Sequence, residues 1–142
     1  MDTSTHRNDL DPAVAHTLRA AATGVGPAGD RLAATHLVAD DGLRMLACNW
    51  RLSVGELRGE LDLIAVDERS GVLVVCEVKT RRDADRFGGA AAAVSPRKRA
   101  KIRALTAAFL RDSDRPYARV RLDLVAIDLG RCPTLTHLQG AL

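Results

Sequence analysis

Residues 60–82 read ELDLIAVDERSGVLVVCEVKTRR. The first eight residues alternate polar and apolar through Leu63, run apolar to Val66, and predict a strand. VLVVCEVKT (72–80) is mostly β-branched and apolar, and predicts a second strand. The four residues ERSG between them are a common hairpin length. Starting the register with Asp67 opposite Val72 puts Asp62 opposite Glu77 and Glu60 opposite Lys79. Side chains alternate with period two, so all four are expected on one face.

Facing carboxylates repel and cost stability. A divalent cation between Asp62 and Glu77 would remove that cost, and hard oxygen ligands suit Mg²⁺ or Mn²⁺. The hairpin alone leaves a second reading open. Both acids could lie on a solvent face, paired with Lys79 and nearby arginines.

Outward from the hairpin, LRMLACNWR (43–51) predicts a preceding strand, and LSVGELRG (52–59) reads as a turn. A helix is expected over 28–39, stopped at Gly42, a residue suited to a C-terminal cap. Downstream, RRDADRFGGAAAAV (81–94) reads as a Gly- and Ala-rich connection. Ser95 and Pro96 then open a helix to about Arg111. VRLDLVAID (120–128) predicts a further strand, and the PTLTHLQGAL end a short edge strand. Short turns favour antiparallel pairing and a strand–helix–strand crossover parallel pairing. The expected fold is therefore α/β, a single domain over 26–142. It has a mixed central sheet in α-β-β-β-α-β order, flanked by helices. Residues 1–25 read as a weakly structured extension, with one short helix capped by Asp11 and begun by Pro12.

The helix after Ser95 carries an apolar stripe of Ile102, Leu105 and Phe109. Lys98 falls near the middle of that stripe and Lys101 at its edge. Both stand near the helix N-terminus, where a cation meets the unfavourable end of the dipole. An anionic ligand such as a phosphate at the helix start accounts for them. The alternative for Lys98 is a side chain whose head reaches into water. Asp30 also has two readings, an ordinary first-turn acid or a third carboxylate aimed at the same cation.

Composition narrows the partners. The chain has 142 residues, 46% hydrophobic and 27% charged, with a net charge of +3. From Lys79 to Arg103 there are nine Lys or Arg against Asp83 and Asp85, a local excess that suits a polyanion. Against eighteen arginines there are three lysines, Lys79, Lys98 and Lys101, all within that segment. Lysine offers a compact charge that can lose a proton, which arginine does not. No apolar run approaches the roughly 20 residues that span a bilayer. The N-terminus lacks the order of a secretory signal. Cys48, Cys76 and Cys132 form no CxxC pair and suggest neither a disulfide framework nor a zinc site. A buried thiol is expected at Cys48 and Cys76, and a reducing cytoplasm fits the whole.

An Asp on one strand, Glu-x-Lys on the next, and helices on either side resemble the PD-(D/E)XK nuclease superfamily. The segments NWR (49–51), GELDLIAVD (59–67), VCEVKTRR (75–82), FGGAAAAVSPRKRAKI (87–102), RLDLVAI (121–127) and HLQGAL (137–142) are similar to the YraN-like family of small bacterial proteins. That family is related to archaeal Holliday-junction resolvases. The resemblance implies a restriction-endonuclease-like fold and metal-dependent cleavage of nucleic acid, DNA ahead of RNA, with branched or structured DNA a candidate substrate. It implies that Asp62, Glu77 and the carbonyl of Val78 hold the metal, with Asp30 in the place of a family glutamate. Lys79 would position or activate the attacking water, and Glu60 would be an accessory acid. Arg81, Arg82, Lys98 and Lys101 would bind flanking phosphates. A resolvase cuts two strands, so a homodimer would be natural. This sequence departs from the superfamily at Leu61, where proline is common. The rival expectation is a nucleic-acid-binding protein that keeps the fold without turnover.

Overall fold

The computed structural model describes residues 4–82 and 94–142. Their elements run β1 (Thr5–Asp9), α1 (Pro12–Arg19), α2 (Val25–Ala39), β2 (Arg44–Val54), β3 (Leu57–Asp67), β4 (Val72–Arg81), α3 (Pro96–Arg111), β5 (Arg119–Asp128) and β6 (Thr134–Leu138). The six strands form one mixed sheet in the order β1-β6-β5-β4-β3-β2. Only β4 and β5, joined through α3, run parallel; the other neighbours are antiparallel. The α/β class, the mixed sheet and the flanking helices thus agree with the sequence.

The central position of β4 explains its composition. Val72 through Val78 are buried without interruption, because both faces of this strand are covered. On one face Val72, Val74, Cys76 and Val78 join Ala15, Leu18, Ala33 and Leu37 from α1 and α2. On the other, Leu73 and Val75 pack with Ile102 and Leu105 of α3. Trp50 meets Phe109 edge-on, with ring centroids 5.5 Å apart.

The helix signals act where the sequence puts them. Ser95 Oγ accepts the Lys98 backbone N–H at 3.1 Å, and Pro96 is the first helical residue of α3. Asp11 Oδ1 accepts the Ala13 N–H at 2.7 Å and caps α1. Gly42 has φ of +69° just past α2.

Four expectations need correction. Residues 52–59 are not one turn: β2 and β3 extend through them to a two-residue hairpin at Gly55-Glu56, where Gly55 supplies φ of +59°. The first 25 residues are not weakly structured over their described part. β1 pairs with β6, and Ala15 and Leu18 of α1 are buried against the sheet. That pairing also moves β6 inward, so β1 and β2 are the edges. Cys48 is exposed, because β2 is an edge strand, whereas Cys76 is buried as expected. The connection at 81–94 lies mostly outside the described residues.

Candidate active site

The hairpin register meets its expectation from Asp67↔Val72 to Leu63↔Cys76, and there the ladder stops. The reason is Asp62. Its Oδ2 accepts the backbone N–H of Val78 at 2.9 Å, taking a bond that the ladder would have given to a carbonyl. Side-chain alternation breaks at the same point. Leu63 joins the core under α1 and α2, while Leu61, two residues away, joins the core under α3. The expected single face for Glu60, Asp62, Glu77 and Lys79 is therefore replaced by a gap between two parting strands. Within a strand, a residue's N–H and C=O point to the same neighbour. The Val78 carbonyl accordingly also looks toward the β3 side.

Three carboxylates converge on this gap. Asp62 and Glu77 lie close enough for each to act on the other's protonation. Burial first, and then the Asp62 charge, push Glu77 up to about 7. Burial likewise raises Asp62, against the opposing pull of the Val78 N–H. Asp30 enters from the first turns of α2. It is pushed up to about 7 by burial and by the charges of Asp62 and Glu60. Gly29 makes that approach possible, since a Cβ there would overlap Thr80 Oγ1. From the other face, α3 sends Lys98, whose Nζ stands 3.4 Å from Glu77 Oε1.

Residues 29–127 match the model of the uncharacterised protein family UPF0102. The chain belongs to the UPF0102 family, the YraN-like family of the sequence resemblance. A UPF0102 protein of Mycolicibacterium gilvum is 44% identical over 119 residues, covering 82% of this chain and 92% of the relative. UPF0102 proteins of Mycobacterium avium and Mycolicibacterium smegmatis are 42% and 43% identical over 118 residues, each covering 82% of this chain and 88% and 90% of theirs.

In this UPF0102 chain the sequence-chosen residues divide into two groups. Asp30, Asp62, Glu77, Val78 and Lys98 meet at the gap. Glu60 is close enough for its charge to act on Asp30 and Asp62, while its Oε2 pairs with Arg51 Nε at 2.9 Å. Lys79 is exposed one alternation beyond Glu77. Lys101 is exposed on α3, its stem against Gly59. Arg82 reaches the Arg19 carbonyl at 3.4 Å, and the Arg81 carbonyl accepts the Leu129 N–H at 2.8 Å. The sequence did not distinguish Lys98 as the ion-pair partner of Glu77, because the α3–β4 distance is a tertiary quantity. Arg51 and Gly29 were also missed as supports. A glycine directly before Asp30 was the available signal for close helix–strand approach. Among the described residues no helix is long and apolar enough to cross a membrane.

Proposed function

We propose that this UPF0102 protein hydrolyses phosphodiester bonds of DNA with a divalent metal, on a PD-(D/E)XK nuclease fold. The observation that carries the reading is the close approach of Asp62 and Glu77 in the gap between β3 and β4, with Lys98 beside Glu77. A buried Glu77 and a half-buried Asp62, both raised by burial, form a site prepared for a cation. The donors are all hard oxygens, so Mg²⁺ or Mn²⁺ fits them. Asp62, Glu77 and the Val78 carbonyl would hold the ion, with Asp30 as a further oxygen donor. Bound there, it would supply Lewis acidity and lower the pKa of a coordinated water.

The chain's own residues do the rest. The Val78 N–H fixes the rotamer of Asp62. Glu60 and Asp30 keep the gap acidic. Lys79 orients the attacking water and balances charge on the phosphate. Lys98, Lys101, Arg81 and Arg82 hold flanking phosphates, which makes binding steeply salt-dependent. With four aromatic residues in the chain, recognition through backbone and shape is favoured over base stacking.

The 3.4 Å pair of Lys98 with Glu77 supports a second reading. A lysine there can replace part of a cation's charge, as in a protein that binds DNA without cutting it. The deciding assay uses end-labelled four-way junction, flap, duplex and single-stranded DNA with Mg²⁺, Mn²⁺ or EDTA, beside Lys79→Ala purified identically. Metal-dependent products absent from the variant establish the nuclease and rank its substrates. Salt-sensitive gel shifts without products favour the binding protein. Products that persist in the variant overturn the site assignment.

A further inference from the structure

A second polar cluster lies on the α1/α2 face of the sheet, away from the carboxylate gap. His36 in α2, Asp41 just after α2 and His137 in β6 bring three ligand atoms together. His36 Nε2 is 3.1 Å from His137 Nδ1. Asp41 Oδ2 is 3.1 Å from His137 Nδ1 and 3.8 Å from His36 Nε2. Donors at about 2.0–2.1 Å on a tetrahedral ion stand roughly 3.3 Å from one another. The observed triangle has that size.

The outer hydrogen bonds say what the inner atoms can be. His36 Nδ1 is 2.7 Å from Asp40 Oδ2, and His137 Nε2 is 2.8 Å from Asp123 Oδ2. A carboxylate can only accept, so each of these ring nitrogens carries the hydrogen. Asp123 is itself held by both ends of the Arg121 fork at 2.9 Å and by the Gly140 N–H at 2.9 Å. In the neutral tautomers this leaves His36 Nε2 and His137 Nδ1 with bare lone pairs. They face each other and a carboxylate oxygen. Asp41 Oδ2 is buried and has no hydrogen-bond partner. Three acceptors without a hydrogen between them require a cation or one further proton.

We propose that His36 Nε2, His137 Nδ1 and Asp41 Oδ2 bind a zinc-class divalent transition metal, with a fourth position open to water. Two imidazoles and one carboxylate select such an ion over Mg²⁺. The carboxylate behind each histidine is the usual outer support of a zinc ligand, setting tautomer and ring orientation. The ion would clamp the C-terminal end of α2 to β6, two elements far apart in the chain. His36 lies six residues after Asp30, about 9 Å along the helix, so this site is separate from the acidic gap.

The test is a Co²⁺ titration of the EDTA-stripped full chain, read by visible absorption and followed by Zn²⁺ competition. Expected are one equivalent of Co²⁺ with the bands of a four-coordinate ion, and displacement by Zn²⁺. Asp41→Asn, partly exposed and nearly isosteric, keeps the fold by far-ultraviolet circular dichroism. It should weaken binding by more than about tenfold, as even an outer support does. His36→Gln should do the same, whereas Asp62→Asn with Glu77→Gln should leave the bands intact. Wild-type protein that takes up no Co²⁺ would overturn the proposal and leave a shared proton in the triangle. Equal binding by wild type, Asp41→Asn and His36→Gln would overturn it too.

Discussion

Lys98 Nζ stands 3.4 Å from Glu77 Oε1, so a helix on one face of the sheet reaches an acid in its central strand. Lys98 is 45% exposed and Glu77 10%. The pair therefore adds little to stability, under about 1 kcal/mol, as for other solvent-screened pairs. Lys98→Met should leave the melting temperature within a few degrees of wild type. Its effect belongs to binding: the salt dependence of DNA affinity should become shallower by about one counterion.

The raised acids set the pH dependence of the metal-free protein. Glu77 rises from 4.5 to about 7 and Asp30 from 3.8 to about 7 on folding. Across that window the folded state holds more protons than the unfolded one, so stability falls as pH rises. In EDTA, these groups should lower the melting temperature from about pH 4 to about pH 7. Scanning calorimetry across that range checks the sign.

Burial and the Asp62 charge push Glu77 up to about 7, so Mg²⁺ must compete with its proton. Binding near pH 7 should therefore release protons. Calorimetric titration in two buffers of different ionisation enthalpy measures the number released. Glu77→Gln should abolish both the release and the stabilisation by Mg²⁺. The same variant should melt higher than wild type in EDTA above about pH 7, because the amide removes a charge that burial disfavours.

Gly29→Ala inverts the usual helix rule. Alanine in a helix normally gains roughly 0.5–1 kcal/mol over glycine. Here its Cβ would overlap Thr80 Oγ1 and crowd Thr80 Cβ at 3.1 Å, so α2 and β4 must give way to each other. The expected cost is about 1–3 kcal/mol, the range for overpacking. Because Asp30 follows directly, Mn²⁺ affinity should drop with it. Denaturant melts and a Mn²⁺ titration would show whether the two losses occur together.

Deletion of residues 1–9 removes β1 and uncovers one edge of β6. All five β1 residues are exposed, so little apolar burial is lost. The loss should be smaller than that of Leu105→Ala, a buried truncation expected to cost about 2–5 kcal/mol. Urea unfolding of the two variants side by side gives the comparison.

What the sequence alone determined was local. The β3–β4 hairpin, the Ser95-Pro96 start of α3 and the Asp11 cap of α1 rest on side-chain period and on hydrogen bonds spanning two to four residues. Those interactions are encoded where they act. The same register carried the expectation toward Asp62 and Glu77, but the ladder stops one pair short of them, at Leu63↔Cys76. The tertiary structure decided the rest. Asp62 ended the ladder by capping Val78, and no pattern in ELDLIAVD marks that choice. Asp30 and Lys98 came to the gap because α2 and α3 pack on opposite faces. The His36–His137 contact joins residues 101 apart in the chain. Periodicity cannot register such a contact, because only the packing of α2 against the sheet creates it.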